Sequence, residues 1–170
     1  MDKISFSEIA DWQVFEDLVT DYFRAVQNDK EFNVCDVEVQ QTGAGSDGGR
    51  DILVTLNVDD SIQKFHRIWV VQCKFYDRDV NKGDLADVNI PTLIHQYGAD
   101  GYLLVCKKHL TAPLTTAFEN LRDNCVLNYG YEFWHGTNFI NRIRMKPSLI
   151  ESYFPLHQQF LREQQNKLNL

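Results

Sequence analysis

Four side chains in this 170-residue sequence are of types that hydrolyse phosphodiesters, and their spacing lets them meet: Glu16, Asp51, Gln72 and Lys74. In the run RIWVVQCKFY, successive side chains of an extended strand point to opposite faces. Gln72 and Lys74 therefore project together with Val70, while Trp69, Val71, Cys73 and Phe75 take the other face. A lysine on so apolar a strand is expensive unless it is paired or functional. Asp51 opens the apolar run DILVTLN directly after the glycine-rich turn TGAGSDGGR, which sets a carboxylate at a sheet rim. Glu16 stands one turn after Trp12 and one turn before Val19, at the edge of a helix's apolar stripe.

Such a set suits metal-assisted hydrolysis. A hard divalent ion, Mg²⁺ or Mn²⁺, takes oxygen ligands, polarises a phosphoryl oxygen and lowers the pKa of a bound water. Asp51 is the expected main ligand. Gln72 offers a neutral carbonyl oxygen, directly or through water, and the backbone carbonyl of Cys73 offers another. Glu16 reaches in onto the ion or onto its water shell. Lys74 steers the water and offsets charge building in the transition state. Each assignment has a plainer alternative. Glu16 can be a solvated helix-edge acid, Lys74 a salt-bridge partner of Asp51, and Gln72 a sheet-face hydrogen bonder. Asp47 can add negative charge near the ion, but a surface turn residue is the expected role.

The elements that must position these residues follow from periodicity. Trp12, Phe15, Val19, Tyr22, Phe23 and Val26 share one face of a helix over about Glu8 to Val26. Strands are expected over Cys35–Gln41, Asp51–Asn57 and Arg67–Tyr76, the last two joined by a hairpin loop over Asp59–Lys64. A helix over Asn81–Tyr97 should kink or break at Pro91. GYLLVCK, from Gly101 to Lys107, reads as a buried strand. Thr111 is a candidate N-cap, with Pro113 in the first turn of a helix reaching Asn124. Tyr131–His135 is a short strand, and helices follow over Thr137–Ile143 and Ser148–Lys167. The order α-β-β-β-α-β-α-β-α implies an α/β fold with a mixed central sheet flanked by helices.

Composition sets bounds. Apolar residues make up 44% and charged residues 24%, enough for an ordinary core. No apolar run is long enough to cross a bilayer, and the N-terminus has no secretory pattern, so the expected location is cytoplasmic. The net charge of −7 argues against nucleic-acid binding by bulk charge. It does not exclude a nuclease, because a cation reverses the sign of a carboxylate site. Cys35, Cys73, Cys106 and Cys125 form no CxxC pair and are expected to be free, buried thiols. His66, His95, His109, His135 and His157 lack metal-ligand spacing, so surface or satisfied positions are expected. His135 precedes Gly136 in a strand-to-helix turn and could approach substrate, although nothing in the sequence requires it. Lys107 and Lys108 follow a strand and are either phosphate contacts or a solvated strand end. Trp12, Trp69 and Trp134 read as core rather than base-stacking residues.

WQVFEDLV, GSDGGRDILV and WVVQCKFY together resemble the Mrr-like restriction endonuclease family of the PD-(D/E)xK nuclease superfamily. Glu16 after Phe15, Asp51 in GGRD, and Gln72 with Lys74 in QCK match that pattern; GYLLVCKKHLTAPLTTAF and EFWHGTNFINRI look like its closing part. The neutral Gln72 holds metal less firmly than the usual acid of the superfamily. The resemblance covers about Phe6 to Ile143. It implies a restriction-endonuclease-like core and metal-dependent cleavage of DNA, in bacterial defence or restriction, by a homodimer or larger assembly. It also implies a nuclease domain over residues 1–146 and a helical extension over 147–170 that leads toward a fused or associated NTPase or sensor module. A ribonuclease with the same site, or a silent binding module on the same fold, are the alternatives.

Overall fold

A computed structural model describes residues 4–27, 29–42 and 49–168. Helix α1 (Trp12–Arg24) begins where the Asp11 carboxylate accepts the Val14 N–H at 2.9 Å. Its Phe15, Leu18, Val19, Tyr22 and Phe23 are buried, as the periodicity requires. Trp12 is a correction: it is the first residue of the helix and 49% exposed, because a side chain in the first turn points past the packed face. A separate 3₁₀ turn, Phe6–Glu8, precedes the helix.

The five strands lie in the order of the chain: β1 (Val34–Gln41), β2 (Ile52–Asp59), β3 (Lys64–Lys74), β4 (Gly101–Cys106) and β5 (Gly130–Trp134). The first three pair antiparallel, and β3, β4 and β5 pair parallel. The β2–β3 hairpin turns through the Asp60 carboxylate, which accepts the N–H groups of Ile62 and Gln63. The parallel pairs need crossovers, supplied by α2 (Ile90–Gln96) and α3 (Ala112–Asn124). The helix expected over 81–97 is broken: a 3₁₀ turn covers Lys82–Leu85, and Pro91 sits in the first turn of α2. Thr111 is the N-cap of α3, though its side chain makes no capping bond.

Each face of the sheet carries a core. On one side Ile52, Val54, Val71, Leu103 and Val105 meet α1, α4 (Gly136–Arg144) and α5 (Pro147–Tyr153). On the other side Val70, Tyr102, Leu104 and Cys106 meet α2 and α3. The C-terminal helical stretch is split at Phe154 and continues as α6 (Pro155–Leu168). Leu149, Ile150 and Phe154 are buried, and the Tyr153 hydroxyl donates to Asp21 of α1 at 2.6 Å. The cysteines are free, but only Cys106 is buried; Cys35 is exposed, and Cys73 and Cys125 are intermediate. An apolar neighbour in sequence does not bury a thiol on an outer strand such as β1. No described helix is long and apolar enough to cross a membrane.

Candidate active site

The site forms where β2 leaves β3. The ladder between them ends at Ile52 opposite Val71. Asp51 still donates its N–H to the Val71 carbonyl at 3.0 Å, but its own carbonyl accepts from the Thr42 N–H and hydroxyl, both at 2.9 Å. The next rung of the ladder is made by the side chain instead: Asp51 Oδ2 accepts the Cys73 N–H at 2.6 Å. A strand residue directs its N–H and C=O to the same side. The Cys73 carbonyl therefore faces the edge that Asp51 occupies, while the Lys74 carbonyl turns the other way and accepts from Lys107 N at 3.0 Å.

Glu16 approaches from α1 and is half-buried. Burial first, then the neighbouring charges of Asp51 and Asp17, lift its carboxyl from the ordinary 4.5 to about 7. Among the described residues it accepts no hydrogen bond and forms no ion pair. Burial, then Asp51, then Glu16, push the Cys73 thiol up as well. Glu16, Asp51 and Cys73 thus share one electrostatic neighbourhood.

Gln72 and Lys74 project from the opposite face of β3 to Cys73. Gln72 is 5% exposed, and its Oε1 accepts the Tyr102 hydroxyl at 2.5 Å. Tyr102 is fully buried; burial and then the Asp51 charge hold its proton well above the ordinary phenol range. Lys74 is half-buried, and its charge is felt by Cys73 and by Asp84. Its Nζ lies 5.8 Å from the Tyr76 ring centre. Asp47 lies outside the described residues.

Tyr102 was not singled out from the sequence. The signal was present: a buried glutamine needs a partner, and Tyr102 carries the phenol of the otherwise apolar GYLLVC strand. The histidines also depart from expectation. His66, His95 and His109 are exposed, but the buried Nδ1 atoms of His135 and His157 have no hydrogen-bond partner. Their rings are held by packing, His135 against His109 and His157 against Phe160.

The sequence matches the family model of the Mrr catalytic domain, described as a restriction endonuclease, over residues 8–141. The chain belongs to this restriction endonuclease family. No curated protein sequence matches it. The Mrr-type domain resembles the DNA modification-dependent restriction endonuclease AspBHI, at 14% identity and a TM-score of 0.55, over 85% of this chain and 35% of that one. It also resembles the MspJI restriction endonuclease, solved in complex with a 27-mer oligonucleotide, at 15% identity and a TM-score of 0.51, over 76% of this chain and 27% of that one. The chain thus spans about a third of the length of these two proteins. The fold is restriction-endonuclease-like α/β, in agreement with the element order read from sequence.

The donor set fits a hard cation. Two carboxylates lie close enough to raise a pKa between them, and one accepts no hydrogen bond from described residues. No three described His, Cys, Asp or Glu side chains gather into a complete metal cage. An ion here would therefore draw on amide and carbonyl oxygens, and on substrate, as Mg²⁺ sites commonly do.

Proposed function

We propose that this Mrr-type domain is a DNA endonuclease dependent on Mg²⁺ or Mn²⁺. The observation that carries the reading is the meeting of Glu16 with Asp51 at the end of β3, beside Gln72 and Lys74, in a restriction endonuclease family member. Asp51, the Cys73 carbonyl, Gln72 and Glu16 would hold the ion. When bound, the metal supplies Lewis-acid polarisation of the phosphoryl oxygen and a water of lowered pKa. Asp51 is oriented by the Cys73 amide, so its second oxygen is directed rather than swinging. Glu16 would sit on the ion or on its water shell, where a carboxylate beside Asp51 can take a proton from the attacking water. Gln72 is held in one orientation by Tyr102. Lys74 offsets charge on the reacting phosphoryl group.

In this reading the protein is cytoplasmic and acts in bacterial defence or restriction. Cutting both strands takes two sites, which favours a homodimer or larger assembly. Residues 147–170 serve as the extension beyond a 1–146 nuclease unit, leading toward an NTPase or sensor module.

The test is cleavage of supercoiled plasmid with Mg²⁺ or Mn²⁺. Wild type should nick or linearise it. Asp51→Ala and Lys74→Ala should each cut on the order of 10³-fold more slowly. Retained cutting in either variant would show the site is misplaced. Cleavage of RNA but not DNA would reassign the substrate, and no cleavage of either by folded protein would favour the silent binding module.

A further inference from the structure

A basic site lies beyond two packed aromatic rings, Phe75 and Phe15, from Glu16. Beyond β4 the chain continues as Lys107-Lys108-His109, and these residues line a cavity of about 300 Å³ with Ser5, Ser7 and Thr137. The floor is the start of α4. Gly136 gives its N–H to the Lys108 carbonyl at 2.9 Å, and a Cβ on Gly136 would stand 2.1 Å from the Lys107 carbonyl oxygen. Only glycine lets the helix start so close to the strand end. His135, the N-cap, makes no side-chain capping bond, and with the Gly136 amide already given to Lys108 the amides of Thr137 and Asn138 are the first-turn donors that can meet an anion. The His109 ring forms a wall and lies 4.8 Å from the His135 ring.

Lys107 links this cavity to the active site. Its side chain is 14% exposed, and its Nζ lies 4.2 Å from the centre of the Phe75 ring. Phe75 packs on Phe15 at 5.2 Å, and Phe15 precedes Glu16 on α1. In the free protein Lys107 Nζ is paired with Asp77 at 2.6 Å, but Asp77 is 88% exposed. An exposed carboxylate is a weak counter-ion that a phosphate can displace.

We infer that this cavity binds a phosphodiester group of the nucleic acid strand that enters the active site, away from the bond that is cut. Lys107, Lys108 and the amides of α4 carry the recognition, and Asp77 stands in for the phosphate until substrate arrives. The inference rests on the endonuclease reading and gives an acidic protein the local positive charge its net charge withholds. It reads backbone, not bases, so it sets register without sequence preference.

The experiment is fluorescence anisotropy of a labelled DNA duplex with the full chain in Ca²⁺, across a salt series. Lys107→Met keeps the apolar stem on Phe75. Paired with Lys108→Ala, it should weaken binding about tenfold and lower the slope of log affinity against log salt by about 2. Asp77→Asn, which frees Lys107, should tighten binding a few-fold, whereas a merely structural ion pair predicts no change or a loss. Unchanged affinity and slope in the double variant would overturn the inference, as would absence of DNA binding by wild type. The two readings fail separately. Wild type that binds DNA through these lysines but never cuts removes the endonuclease reading and leaves the phosphate site. Wild type that cuts, with a double variant that binds normally, removes only the site.

Discussion

The run from Trp69 to Lys74, the second half of β3, solves opposite problems at its two ends. At Trp69 the strand is given over to packing. The indole lies across the neighbouring strands, and a Cβ on Gly101 or Gly130 would come within 2.6 and 2.4 Å of its ring. Two glycines have been given to one aromatic side chain, and what results is packing with no polar consequence. Three to five residues on, the same strand holds a buried glutamine, a largely buried thiol and a lysine, next to two carboxylates of which Asp51 raises the pKa of Glu16. The first end is built for stability. The second departs from it, and such departures cluster at functional sites.

The sharpest way to test that division is to damage the packed end. Trp69→Ala should destabilise the fold by about 3 kcal/mol, and Gly130→Val by about 1–3 kcal/mol because the added side chain drives the indole off its place on the sheet. Both should be read as a lower urea midpoint. At a temperature where the variants remain folded, plasmid cleavage should stay within a few-fold of wild type. A large loss of turnover in folded Trp69→Ala would show that the two ends are coupled and break the comparison.

Tyr102→Phe attacks the other end gently. Loss of the hydroxyl leaves the buried Gln72 oxygen without its donor, at about 1–3 kcal/mol. Cleavage should fall roughly 10- to 100-fold, the range for a group that orients a metal ligand. Tyr102 is a positioning residue, so the apparent Mn²⁺ affinity read by calorimetry should weaken as well. A variant that loses stability but keeps both cleavage and metal affinity would leave Gln72 as a sheet-face hydrogen bonder only.

The packed and the polar ends were not equally legible in sequence. Alternation in RIWVVQCKFY assigned Trp69, Val71, Cys73 and Phe75 to one core and Val70 to the other, as the structure has them, because a period of two leaves no freedom once the strand exists. Asp51 was found because a carboxylate opening an apolar run is chemically out of place. Its actual contact, a side chain completing the ladder to the Cys73 amide, is tertiary and has no sequence signature. Tyr102 was hidden within a run read only for its apolar character. Trp12 was read by periodicity alone and is exposed, because the first turn of a helix has no layer above it. Gly136 looked like a turn glycine; its close approach to the Lys107 carbonyl depends on two segments 29 positions apart in number coming together.

The smallest effect is also the one that isolates the electrostatics of the site. Glu16 titrates at about 7 in the folded chain and near 4.5 when unfolded. Between those values the native state holds a proton that the unfolded state has released. Stability therefore falls as pH rises through that window, and the penalty is constant above it. His135 works in the opposite direction: burial and then His109 depress its pKa, so its contribution improves as pH rises toward the ordinary histidine range. The wild-type curve alone mixes the two, and the difference from Glu16→Gln separates them. Thermal midpoints measured from pH 4.5 to 8 without divalent metal should show Glu16→Gln gaining on wild type as pH increases. Adding millimolar Mg²⁺ above pH 7 should raise wild type more than Glu16→Gln, since the ion replaces the missing proton between the two carboxylates. Parallel curves, with or without the ion, would mean that Glu16 and Asp51 do not sense one another, and the polar end of β3 would then be a surface like any other.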